Sequence, residues 1–177
     1  MKATLGAALT AVALLASAHL DSPARATDFD HHFLAATCVQ KMAANGRPIG
    51  EIVTTANGVA VQHRANSTED LVLYCNVDPA GTHFFNMFQI LAEDNTPTGS
   101  VTATLYQANA DGGGAPVALA TVATTDQAGV QVAQNFGDPD IETLNEIFFR
   151  YYIEIVVQRQ SPGDVVRVYA VSLRDVL

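Results

Sequence analysis

The chain has 177 residues, of which 49% are hydrophobic and 15% charged, and its formal net charge is −9. That length suits a single domain able to bury its own core. The acidic balance argues against nucleic acid and against an anionic membrane surface as partners, because both select basic patches.

The chain opens with Met1 and Lys2, then an apolar stretch over residues 5–18 of Leu, Ala, Val and small residues, then a polar break at residues 19–23. This is the order of a secretory signal. The stretch is shorter than the roughly 20 residues an anchor needs. The sequence therefore implies a cleavable signal peptide over 1–26, cut after Ala24-Arg25-Ala26, with Ala16-Ser17-Ala18 as an earlier alternative, and a single domain over 27–177. Export places the mature chain in the periplasm or outside the cell, with no integral membrane segment.

Past that point, turn residues recur every few positions and alternation dominates. Segments 58–63 and 71–77 are apolar runs separated by a polar stretch, and 86–92 ends at the turn cluster 93–99. In 101–106, Val101, Ala103 and Leu105 share one face and Thr102 and Thr104 the other. Gly112-Gly113-Gly114 lacks the Lys and Ser/Thr of a phosphate-binding loop, so it is expected as the tip of a hairpin leading to 117–123.

The same two-residue period governs 129–134, and again 150–158, where Tyr151, Ile153, Ile155 and Val157 align opposite Tyr152 and Glu154. Ser161-Pro162-Gly163-Asp164 then supplies a turn, and the strand over 165–173 is expected to form an antiparallel hairpin with 150–158. With a segment around Cys38 the count reaches eight or nine strands. Ile141, Leu144 and Ile147 recur at helical spacing, which predicts one short helix near 139–147. The fold class is all-β: a two-sheet antiparallel sandwich, jelly-roll or immunoglobulin-like, because each amphipathic sheet must cover its apolar face with another layer.

Cys38 and Cys75 are the only cysteines, and an exported chain meets oxidising conditions, so they are expected to pair. Asp138, Asp140 and Glu142 have the one-three-five spacing of a calcium loop. Thr143 and Phe149 stand where an EF-hand needs Gly and Glu, which leaves only a looser calcium site between loops, against helix capping by solvated carboxylates. Asp28, Asp30, His31 and His32 offer an alternative transition-metal cluster, although neighbouring histidines point oppositely in an extended chain. His63 and His83 could each pair with Asp70, Asp78 or Glu93, but no nucleophile completes a catalytic set. Most aromatic rings belong to the core, while Tyr106 and Tyr152 fall on the polar parity of their strands and are candidate ligand-binding residues. Asn66-Ser67-Thr68 matches a glycosylation acceptor.

Cys38, the Gly58-Val59 pair, Asn66-Ser67 and Leu71-Val72-Leu73-Tyr74-Cys75 together form a pattern that resembles small secreted bacterial proteins of uncharacterised function with one cysteine pair. The likeness covers roughly residues 36–110. It departs in one respect: the second cysteine of that group often precedes a proline, and Cys75 precedes Asn76. The resemblance implies export, a disulfide and a β-sandwich, and transfers no active site. The sequence thus supports a non-enzymatic exported module that binds an unknown protein or glycan or serves a structural role. Its alternatives are a calcium-assisted carbohydrate-binding module and a subunit of a surface filament or coat.

Overall fold

The structure is a computed structural model that describes residues 30–78, 85–125, 127–136, 144 and 148–175. Eleven strands lie among them: β1 (Asp30–Leu34), β2 (Val39–Gln40), β3 (Gly50–Thr55), β4 (Gly58–His63), β5 (Leu71–Val77), β6 (Met87–Asp94), β7 (Ser100–Asn109), β8 (Val117–Ala123), β9 (Gly129–Phe136), β10 (Phe149–Gln158) and β11 (Val166–Arg174). They form two antiparallel sheets. Sheet A runs β3-β4-β11-β6-β9, with β1 also paired to β11; sheet B runs β2-β5-β10-β7-β8. The expected two-sheet sandwich is therefore the fold.

The core is the set of inward side chains from both sheets. Sheet B contributes Leu73 and Cys75 of β5, Val101, Ala103 and Leu105 of β7, and Ile153, Ile155 and Val157 of β10; sheet A contributes Phe88 and Ile90 of β6 and Val168, Val171 and Leu173 of β11. Each large side chain removed from water contributes roughly 1.5–3 kcal/mol, so alternation alone fixes which face of β7 and β10 turns inward. One strand breaks this rule. The two-residue period of β9 does put its valines on one face, but that face is the outer one: Val130 and Val132 are 46% and 54% exposed. β9 is the edge strand of sheet A, paired only with β6 among the described residues, and Ala133 is the residue that packs against the core.

The expected hairpin of β10 and β11 does not form. β10 is the central strand of sheet B and β11 the central strand of sheet A, so the segment between them crosses from one sheet to the other. The Ser161–Asp164 turn does occur, closed by Asp164 N–H to the Ser161 carbonyl at 3.0 Å. What redirects the chain is Arg159, which is nearly buried. Its guanidinium donates to the carbonyls of Ser67 (2.7 Å), Arg64 (2.6 Å), Pro162 (3.0 Å) and Asp164 (3.3 Å). The first two belong to the β4–β5 connection, which is also a crossover between sheets. One cation thus satisfies carbonyls of two adjacent crossovers that would otherwise be left without donors.

Two strands were not anticipated. β3 pairs with β4 in register from Gly50↔His63 to Thr55↔Gly58, and Gly58 at φ +119° closes the turn in a conformation side-chain-bearing residues avoid. β1 pairs with β11 from Asp30↔Arg174 to Leu34↔Ala170. The helix expected at 139–147 lies outside the described residues except for Leu144, a fully buried β-bridge residue.

Between β1 and β2 the chain passes from sheet A to sheet B through a 3-10 turn, Ala35–Thr37. Cys38, directly after it, is bonded to Cys75 of β5. The disulfide pins this crossover to the inner face of sheet B.

Closing a loop of 37 residues should stabilise the fold by about 4 kcal/mol through restriction of the unfolded chain. Urea unfolding with and without reductant is expected to show a loss of that order. Replacing Arg159 by Met should cost about 3 kcal/mol, because the carbonyls it serves lose a charged donor; a cost below 1 kcal/mol in the same assay would remove the role assigned to it.

Candidate functional site

On β10 the inward residues alternate with Tyr152, Glu154 and Val156, and the same period turns Tyr74 and Asn76 of β5 and Thr102, Thr104 and Tyr106 of β7 outward. Register then assembles them. Tyr152 stands opposite Asn76 on one side and Tyr106 on the other, and Glu154 stands opposite Tyr74 and Thr104. The outcome is a diagonal row of three tyrosines across the open face of sheet B.

The rings contact one another. Tyr106 and Tyr152 are stacked, with centroids 5.2 Å apart and planes 18° apart; Tyr74 meets Tyr152 edge-on at 6.1 Å. Each ring is half-buried. Glu154 is the register partner of Tyr74 across the β5–β10 pair. Burial first, and the Glu154 charge with it, raises the pKa values of Tyr74 and Tyr152 above the ordinary phenol value, so both hydroxyls stay protonated well into alkaline solution. The row is bordered by hydroxyls, with Thr104 and Thr121 in contact at 3.2 Å. It ends at small or aliphatic residues: Ala118 of β8 opposite Tyr106, and the exposed Val39 of β2 opposite Tyr74.

The structure brings together both tyrosines singled out from sequence, Tyr106 and Tyr152, and adds Tyr74. The parity that puts Leu73, Cys75 and Val77 inward was the signal for Tyr74. Tyr151 and Tyr169 are buried. An extra residue in β11 between Val168 and Ala170 displaces Tyr169, whose hydroxyl donates to Glu93 at 2.6 Å and accepts from Thr55 at 3.2 Å. Glu93 also holds Arg167 at 3.0 Å.

Asp138, Asp140, Glu142, Asp28 and His83 lie outside the described residues. His31 and His32 are consecutive residues of β1, so they take opposite faces; His31 packs edge-on against Phe85 at 5.5 Å and His32 is exposed. No group of three or more His, Cys, Asp or Glu side chains that could hold a metal occurs among the described residues. Asn66 is exposed in the β4–β5 connection with φ +67°.

His63 is 2% exposed and donates Nε2–H to the backbone carbonyl of Glu69 at 2.9 Å, which leaves Nδ1 as the lone-pair nitrogen, with no hydrogen-bond partner. It lines a hollow of about 200 Å³ between Glu51, Arg159 and Arg167, whose walls carry no Ser, Thr, Cys or Tyr. Asp70 accepts from Gln158 instead. The base-and-orienter pairs considered for His63 with Asp70 or Glu93 therefore do not form, because each carboxylate is engaged elsewhere.

No protein-family model and no curated protein matches the chain; of what the resemblance to small secreted bacterial proteins implied, the structure shows the β-sandwich and the Cys38–Cys75 disulfide. Solved structures do share its fold. An Arthrobacter globiformis T6 isomalto-dextranase complexed with panose superposes with a TM-score of 0.50 at 13% identity over 81% of this chain, which spans 23% of that enzyme. An exo-β-1,3-galactanase from Phanerochaete chrysosporium gives 0.48 at 12% identity, over 82% of this chain and 29% of the enzyme. The CBM36-1 domain of a multidomain xylanase from the hindgut metagenome of Trinervitermes trinervoides gives 0.44 at 9%, over 84% of this chain and 98% of that domain. At such identities the likeness concerns the two-sheet fold alone.

Burial foremost, and the nearby Arg159 charge, hold the His63 pKa below its ordinary value. The unfolded chain then takes up this proton first as pH falls below about 6.5, so stability should decline from there downward. Burial alone would raise Glu93, but hydrogen bonds from Tyr169, Arg167 and Asn95 outweigh it and lower its pKa; its contribution is present above the carboxylate range and lost as pH falls through it. Urea midpoints measured from about pH 7 to pH 5 are expected to fall in the wild type and to flatten in His63→Gln; equal slopes would mean that His63 is not the group titrating.

Proposed function

We propose that the chain is an exported, non-catalytic β-sandwich module that binds a neutral carbohydrate across the tyrosine row of sheet B. The observation that carries this reading is the row itself: Tyr74, Tyr152 and Tyr106 in mutual contact on a solvent-facing sheet, with Glu154, Thr104 and Thr121 beside them. A pyranose ring offers a face of C–H groups and a rim of hydroxyls. The C–H face suits the negative face of an aromatic ring, and the rim suits phenolic, threonine and carboxylate oxygens.

The stacking of Tyr106 on Tyr152 places the available ring face of Tyr106 on the side of Ala118, whose methyl group leaves room for a sugar. Glu154 and the net charge of −9 disfavour acidic polysaccharides. Export is supported by the N-terminal apolar segment and by the Cys38–Cys75 disulfide, which suits an oxidising compartment. Among the described residues no helix is long and apolar enough to cross a membrane.

Binding of neutral polysaccharides, measured by affinity electrophoresis and calorimetry, tests the proposal. Tyr106→Ala and Tyr152→Ala are each expected to weaken binding at least tenfold, about 1.4 kcal/mol, while the urea midpoint of the half-exposed Tyr106 variant stays near wild type. A chelator should leave binding unchanged, because the row needs no metal. A blank panel of neutral glycans, or full affinity in both variants, would overturn the assignment.

A further inference from the structure

The two sheets end on the same side of the sandwich in β8 and β9, joined by the crossover that follows Ala123. Neither strand contains an ionisable side chain, and between Asp111 and Asp138 the sequence carries one charged residue, Asp126. In a chain of net charge −9 this is an unusual flank. It is also apolar: Val117, Val130, Val132 and Phe136 are 60%, 46%, 54% and 55% exposed. β9 runs for eight residues with no Lys, Pro or bulge, and among the described residues β6 is the one strand paired with it, so its own sequence carries none of the features that keep long edge strands from pairing. The opposite edges differ: β2 has two residues, and β3 carries Glu51.

We propose that β9 is a self-association edge, at which two copies of this chain pair antiparallel and extend sheet A across a two-fold axis. Charge selects the occupant. Two acidic copies repel one another over most approaches, and this uncharged flank is where they can meet without that cost. Parity sets the geometry. Val130, Val132, Gln134 and Phe136 all occupy the outer face of β9, and a two-fold axis through Ala133 sets Val130 against Phe136 and Val132 against Gln134, so Val130 and Phe136 each gain an apolar neighbour from the other copy and Val132 meets the uncharged Gln134. The contact is isologous, and it closes at two copies.

Sedimentation of the purified protein over a concentration series, joined to amide hydrogen exchange, tests this. The wild type is expected to dimerise, with protection of 129–136 amides that grows with concentration. Val132→Lys, at an exposed position, should raise the dimer dissociation constant at least tenfold with an unchanged thermal midpoint, and Thr54→Lys on the β3 edge should leave it unaltered. A wild type that stays monomeric at every concentration would overturn the proposal. So would an association that Val132→Lys does not weaken, or one that leaves exchange in 129–136 unchanged. Tyr106→Ala should still dimerise, which separates failure of this edge from failure of the carbohydrate reading.

Discussion

The Arg159 guanidinium is the interaction on which the topology depends. β10 and β11 are consecutive in sequence yet occupy the centres of opposite sheets, so the short segment between them must turn across the sandwich with its carbonyls directed inward. Such groups cost free energy when buried without donors. Arg159 supplies donors to that segment and to the β4–β5 crossover beside it. With both crossovers fixed at one end, each central strand gains a neighbour on either edge: β5 and β7 flank β10, and β4 and β6 flank β11.

The tyrosine row follows from this placement. Tyr152 lies at the middle of its sheet only because β10 does not fold back on β11, and a central position is what lets one residue touch aromatic partners on both sides. An edge strand could have gathered one. The disulfide acts at another crossover, where the chain passes from β1 to β2, and its Cys75 lies next to Tyr74. The inward cysteine and the outward tyrosine are fixed together by the alternation of β5.

Much of this was legible in the chain. β4, β5 and β8 fall where apolar runs and turn residues placed them, and the inward faces of β7 and β10 were readable from period alone. The β10–β11 hairpin was not, because Ser161-Pro162-Gly163-Asp164 describes a reversal of direction and says nothing of whether the chain returns in the same sheet or the opposite one. That distinction lies in the tertiary partners of Arg159, some ninety residues away at Ser67 and Arg64. β9 shows a related limit: its alternation was legible, but period marks two faces and which one is covered depends on what lies beyond the strand. β3 was missed although Asn57-Gly58 marks its turn.

The two surfaces are related through the geometry of the sandwich. A two-fold axis perpendicular to sheet A at β9 keeps the faces of the two copies aligned, so both B sheets lie on the same side of the extended A sheet. Two tyrosine rows would then face one direction on a single rigid body. A polymer long enough to reach both engages the second row as an intramolecular event, which raises avidity without any new contact. On the proposed carbohydrate reading, a row of half-buried tyrosines with no Trp in the chain is the kind of site that would gain most from being doubled. Under the two proposals together, the uncharged strands β8 and β9 and the aromatic row, on separate faces of an acidic chain, would be parts of one arrangement.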